Sequence, residues 1–194
     1  MRLSKPRIQP LQSHQWSAAA KAVIEPLTAP GTPTGSGPES SSGEPLNIFK
    51  TLVNHPDLAR RWLVFGNHIL GKSTLPERER ELLILRIGYL CQAGYEWGQH
   101  ALICRRIGMT QEEIDSSKFG PDAPGLSRLD QLLFQATDEL HADAHISDAT
   151  WNGLAEHYDT QQLMDIVFTV GQYNLVSMAL NSFGVQPDPG LPSM

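Results

Sequence analysis

Cysteine is scarce in this 194-residue chain: Cys91 and Cys104 are the only two, thirteen residues apart. A disulfide framework is therefore excluded, and so is a C-x-x-C redox pair at a helix N-terminus, where the dipole would lower a thiolate pKa. Basic stripes are missing too. Fifteen Lys and Arg stand against 21 Asp and Glu, a net charge of −6, and the basic clusters are the pairs Arg60-Arg61 and Arg105-Arg106. That balance argues against phosphate neutralisation and hence against nucleic acid as a partner. Long apolar runs are absent. The longest stretch without a formal charge, 166–187, contains Gln172, Tyr173, Asn174, Ser177 and Asn181, which reads as a buried helix and not as a membrane span. The opening Met1-Arg2-Leu3-Ser4-Lys5-Pro6 leads into no apolar core of signal-peptide length. The expectation is a soluble, cytoplasmic, reduced protein.

No alternating apolar run marks a strand, no internal repeat is present, and P-loop, G-x-S-x-G and H-E-x-x-H motifs are missing. What remains is helical patterning. Fourteen of the seventeen residues at 29–45 are Gly, Pro, Ser or Thr, a composition that sustains no regular element. Before it, Trp16, Ala20, Val23 and Leu27 lie on one helical stripe. The chain thus divides into an N-terminal arm over 1–45 and a helical domain over 46–194. Within the domain, helices are predicted over 46–53, 55–70, 76–91, 95–107, from 110, and over 127–142, 148–157 and 161–183. Pro56 suits a first helical position. Thr74 and Thr110 each precede Glu by three residues, the spacing of a capping box. Gly94 is the expected tight turn between the third and fourth of these helices. The 76–91 helix is apolar around most of its circumference, which implies burial on nearly every side and, in a small domain, assembly into an oligomer.

Three constellations carry little chemistry. His141 and His145 lie at i, i+4 but at a predicted helix end with no third ligand. Glu96, His100 and Cys104 share one face of the 95–107 helix, yet Cys104 sits among Ile103 and Ile107, the context of a buried hydrophobe. Gln172-Tyr173-Asn174 interrupts the last apolar helix and requires hydrogen-bond partners there or a substrate to meet them. No metal site is expected.

Residues 77–114, ERERELLILRIGYLCQAGYEWGQHALICRRIGMTQEEI, resemble the carboxymuconolactone decarboxylase family, which shares the all-helical alkylhydroperoxidase D fold. The likeness continues more loosely from Leu46 to Phe183. In the peroxidase branch a glutamate precedes C-x-x-C, and a histidine follows four residues after the second cysteine. Glu81 and His100 match the glutamate and histidine, whereas Ala93 and Glu96 occupy the two cysteine positions. Without those thiols a peroxidatic nucleophile and its resolving partner are missing. The resemblance therefore implies the decarboxylase side: a cofactor-independent lyase acting on a small carboxylated lactone or aromatic ring-cleavage product. Loss of CO2 sends electrons into the lactone carbonyl, and a proton returns at carbon, so the protein must hold an oxyanion, supply a proton and exclude water. His100, Glu96 and Glu81 are the candidate acid–base residues, with Tyr95, Trp97 and Arg86 as candidate substrate contacts. The implied partners are a small-molecule substrate and further copies of the chain. Two alternatives stay open: an antioxidant protein using Cys91 or Cys104, and a non-enzymatic helical oligomer serving as a binding module. Structurally, Glu81 pairing with Arg78 or Arg86, and Glu96 with Arg105 or another chain, would also account for these carboxylates.

Overall fold

The computed structural model describes residues 2–28 and 44–194. The predicted loop at 29–45 falls almost wholly outside them. Nine α-helices and two short 3-10 turns make up the described residues, with no strand among them. In chain order the helices are α1 (Ala18–Thr28), α2 (Asn47–Leu52), α3 (Pro56–Gly71), α4 (Glu77–Leu90), α5 (Gly94–Arg106), α6 (Gln111–Phe119), α7 (Arg128–Asp143), α8 (Asp148–Ala155) and α9 (Thr160–Phe183). The expected all-α architecture is the observed one.

α4 is the central helix. Every residue from Arg80 to Gly88 is buried, and α5, α7 and α9 pack around it. A helix enclosed in this way leaves its polar side chains no access to water, so Arg80, Glu81 and Arg86 must find partners inside. α9 has the length and hydropathy of a membrane span, but about half of it (56%) is buried within the fold, where it forms a wall of the core.

Local signals hold at several boundaries. Pro56 begins α3, and His55 Nδ1 accepts from Leu58 N. Thr110 and Glu113 form the predicted reciprocal box, at 3.2 and 2.8 Å. Thr74 does not cap α4. Pro76 is the N-cap, and Thr74 instead donates through N (2.6 Å) and Oγ1 (2.9 Å) to Asp165 on α9, so a long-range carboxylate outcompetes the local box. The α4–α5 turn also differs from expectation. Gln92, with φ 52°, takes the left-handed conformation, and Gly94 is already helical.

The N-terminal arm lies against the domain. Arg7 N and Ile8 N donate to Phe183 O, Leu11 N donates to Lys50 O, and Ala20, Val23 and Ile24 of α1 pack with Val53 and Ala59. At the other terminus, the segment after α9 returns over α2. Asp188 Oδ1 accepts from Asn47 N (3.0 Å), and Gln186 O accepts from Asn47 Nδ2 (3.1 Å).

Candidate active site

Glu81 comes from the middle of α4 and is fully enclosed; His100 and Glu96 come from the α5 turn packed against it. The i, i+4 spacing on α5 puts Glu96 and His100 on one face. The result is a continuous hydrogen-bonded line. Glu81 Oε2 lies 2.6 Å from His100 Nδ1, and His100 Nε2 lies 3.1 Å from Glu96 Oε1. Arg80 closes the inner end, with Nη2 at 3.1 Å and Nε at 3.3 Å from Glu81 Oε1. Tyr173 of α9 meets the imidazole edge-on, with ring centres 4.8 Å apart and planes at 85°. Glu81 thus pairs with Arg80 and His100 rather than with Arg78, which is held by Asp130 and Glu113, or with Arg86.

Burial alone would drive His100 to its neutral form. Two carboxylates, Glu81 first and Glu96 second, outweigh that effect and raise the histidine pKa from 6.5 to about 9. At neutral pH the imidazole is therefore an imidazolium with both ring nitrogens engaged. Glu96, in the first turn of α5, and His100 both line a cavity of about 60 Å³.

α2, α3, α5 and α9 supply the rest of this cavity. Tyr95 belongs to it, but its hydroxyl donates to Asp188 Oδ2 and accepts from Ile48 N at 3.3 Å, which ties the lid-like α2 to α5. Burial and the Asp188 carboxylate hold that hydroxyl protonated. Gln99 Nε2 donates to the same carboxylate oxygen at 3.0 Å. That bond fixes the amide orientation and leaves Oε1 as a buried acceptor without a partner. Trp62 Nε1 is likewise buried and unpartnered.

The other two predicted contacts lie elsewhere. Arg86 makes a fork to Asp138 (2.6 and 2.8 Å) and donates to the carbonyls of Ser117 and Lys118. Its guanidinium lies over Gly120, where a Cβ would come within 2.5 Å of Nη2. Trp97 is 1% exposed, donates to Ser117 Oγ at 3.0 Å and carries Lys118 over its ring. Arg86 joins α4 to α6 and α7, Trp97 joins α5 to α6, and neither lines the cavity. Gln99, Trp62, Gln172 and Tyr173 do. Among these, only the polar interruption at 172–174 was signalled by the sequence.

Neither cysteine lines the cavity, and burial raises both thiol pKa values, most strongly at Cys104, which also feels the Glu81 carboxylate. Cys91 Sγ donates to Asn174 Oδ1 at 3.1 Å. α7 ends at Asp143, and Ala144 turns left-handed (φ 55°), so His141 and His145 do not share a helical face.

Residues 56–117 match the model of the carboxymuconolactone decarboxylase family. The site-bearing segment is thus similar to that family. It includes Glu81, Glu96 and His100. Solved structures extend the likeness to the whole fold. An uncharacterized peroxidase-related protein from Ralstonia eutropha JMP134, with an alkylhydroperoxidase AhpD core, superposes with a TM-score of 0.77 at 17% identity, over 95% of this chain and 93% of that one. A peroxidase-related protein from Silicibacter sp. TM1040 gives 0.73 at 16% identity, over 98% and 93%. The debrominase Bmp8, solved with 2,3,4-tribromopyrrole, gives 0.68 at 14% identity, over 96% and 94%. At these identities the shared property is the AhpD-like fold. No curated protein matches the chain in sequence.

Proposed function

We propose that this chain is a cofactor-independent decarboxylase in which Glu96 exchanges the proton with substrate, His100 relays it and Glu81 anchors the relay. The observation that supports this reading is the line Glu81–His100–Glu96, which ends on an apolar cavity with no thiol beside it. The substrate class is a small γ-carboxylated unsaturated lactone. In the apolar cavity, beside the Glu96 carboxylate, the substrate carboxylate loses its hydration and meets like charge. Its departure as CO2 leaves an electron pair delocalised into the lactone carbonyl as a dienolate. His100 passes its Nε2 proton to Glu96, Glu96 delivers that proton to carbon and returns to the carboxylate, and the imidazole is reprotonated from solvent. Among the described residues no Lys or Arg lines the cavity. A second substrate carboxylate would have no cationic anchor, which favours a monocarboxylate.

CO2 release is measured from 4-carboxymuconolactone and from its analogue with a methyl group in place of the acetate arm. Turnover is expected, faster with the analogue. Glu96→Gln and His100→Ala should each lose about 10²- to 10⁴-fold, the usual scale of acid–base assistance. No turnover of either compound, or parent-like rates in both variants, would overturn the assignment. In this reading the protein works in the cytoplasm as a homo-oligomer. Its contact face is centred on Phe65 and Phe168, stacked edge-to-face with centres 6.0 Å apart, together with Val64 and Met164, which are 72% and 54% exposed.

A further inference from the structure

The cavity beside Glu96 is small. At about 60 Å³ it is too small to take a ring together with a long substituent. On the far side of Ile48, Trp62 and Val176 lies a groove of about 340 Å³ between α2, α3 and the C-terminal half of α9. These three side chains line both spaces, so they form a partition between them. Beyond it the groove is walled by apolar side chains, Thr51 excepted.

We propose that the cavity and the groove are two halves of one ligand site, which takes a lactone head carrying an apolar chain of several carbons. The inference rests on the acid–base reading for which end reacts. Two unpartnered atoms indicate what the head must offer. Trp62 Nε1 needs an acceptor and Gln99 Oε1 needs a donor, and each is a buried polar atom that costs stability while unpaired. A lactone oxygen meets the first, and a hydroxyl or bound water meets the second. Trp62 lies on the partition itself, so a head held there directs its substituent into the groove. Rotation of Ile48 at the N-terminal end of α2 opens the way. α2 is a six-residue helix with no side-chain N-cap, tethered by Asp188 and Tyr95.

The experiment is calorimetric titration of the full chain with γ-valerolactone, γ-octalactone and γ-decalactone, which share a head and differ in chain length. Affinity should rise about threefold or more per added methylene, as burial of each CH2 requires. Filling the groove with Ala179→Trp should flatten the series, and so should the rim variant Leu175→Glu, placed at a half-exposed position that tolerates a charge. A flat series in the parent protein, or a rise that persists in a folded groove variant, overturns the proposal. If Leu175→Glu dissociates an oligomer and the parent shows no chain-length dependence, a second copy occupies the groove and the proposal is equally refuted. Glu96→Gln separates the two readings: chain-length dependence retained there, with no carboxylated lactone turned over by the parent, removes the decarboxylase and keeps the site.

Discussion

The histidine charge is the most exposed consequence of the relay. His100 is buried with its pKa lifted from 6.5 to about 9 by Glu81 and Glu96. Between those values the folded protein holds a proton that the unfolded chain has released. The stabilisation is complete below pH 6.5 and is lost as pH rises through 9. At 1.36 kcal/mol per pH unit the interval corresponds to about 3 kcal/mol, or roughly 6–12 °C in Tm for a chain of this size. The assay is urea unfolding at pH 6, 7.5 and 9.5 on the parent and on His100→Gln. The variant should start less stable, because two buried carboxylates lose their cation, and should then lose about 3 kcal/mol less than the parent across the range. Ionisation of Cys91 and Cys104 in the unfolded chain also lowers stability in this window, but it is common to both proteins and drops out of the difference. Parallel pH profiles would refute the relay as a charged unit, as would a His100 resonance titrating below pH 7.

Three further outcomes are expected. Arg86→Ala should cost about 3 kcal/mol in urea unfolding by leaving Asp138 and two carbonyls unpaired, without changing KM; a raised KM at undiminished stability would return Arg86 to the substrate site. Both thiols should resist a disulfide reagent in the native protein and react only on unfolding, because burial keeps them protonated; fast native labelling of either would revive the antioxidant alternative. Phe168→Glu should convert an oligomer to monomer in light scattering at micromolar concentration, whereas an unchanged mass would displace the contact face from α9.

Periodicity and punctuation carried most of the architecture. The apolar circumference of α4 announced a central helix, and Pro56, Thr110 and the apolar stripe of α1 gave boundaries because their interactions are local. The misreadings come from competition at long range. Thr74 forms a correct local box on paper, but Asp165, ninety-one residues away, takes its hydrogen bonds. Arg86 reads in sequence as a substrate contact or a partner for Glu81, whereas Asp138 and the carbonyls beside Gly120, all distant in sequence, hold it in space. The line Glu81–His100–Glu96 was legible because Glu96 and His100 share a helix face and Glu81 aligns with a family position. The cavity walls were not. Ile48, Trp62 and Gln99 lie on three separate helices and have no spacing that singles them out.

The chemistry turns on one substitution within that line. In the peroxidase pattern the residue one turn before the histidine is a cysteine, and the glutamate–histidine pair serves its thiol. Here Glu96 stands at that position, 3.1 Å from His100 Nε2, and the remaining thiols lie on other turns, held protonated by burial. A thiol passes electron pairs through sulfur–sulfur bonds, and a carboxylate in the same place does not. The glutamate and the imidazole keep their places, and the side chain they meet is a different one. Arg80 pairs with Glu81 at one end of the line, His100 is charged in the middle, and Glu96 meets the cavity at the other end, where the proposed proton transfer to substrate takes place. In the proposed reaction the substrate contains its own electron sink, the lactone carbonyl.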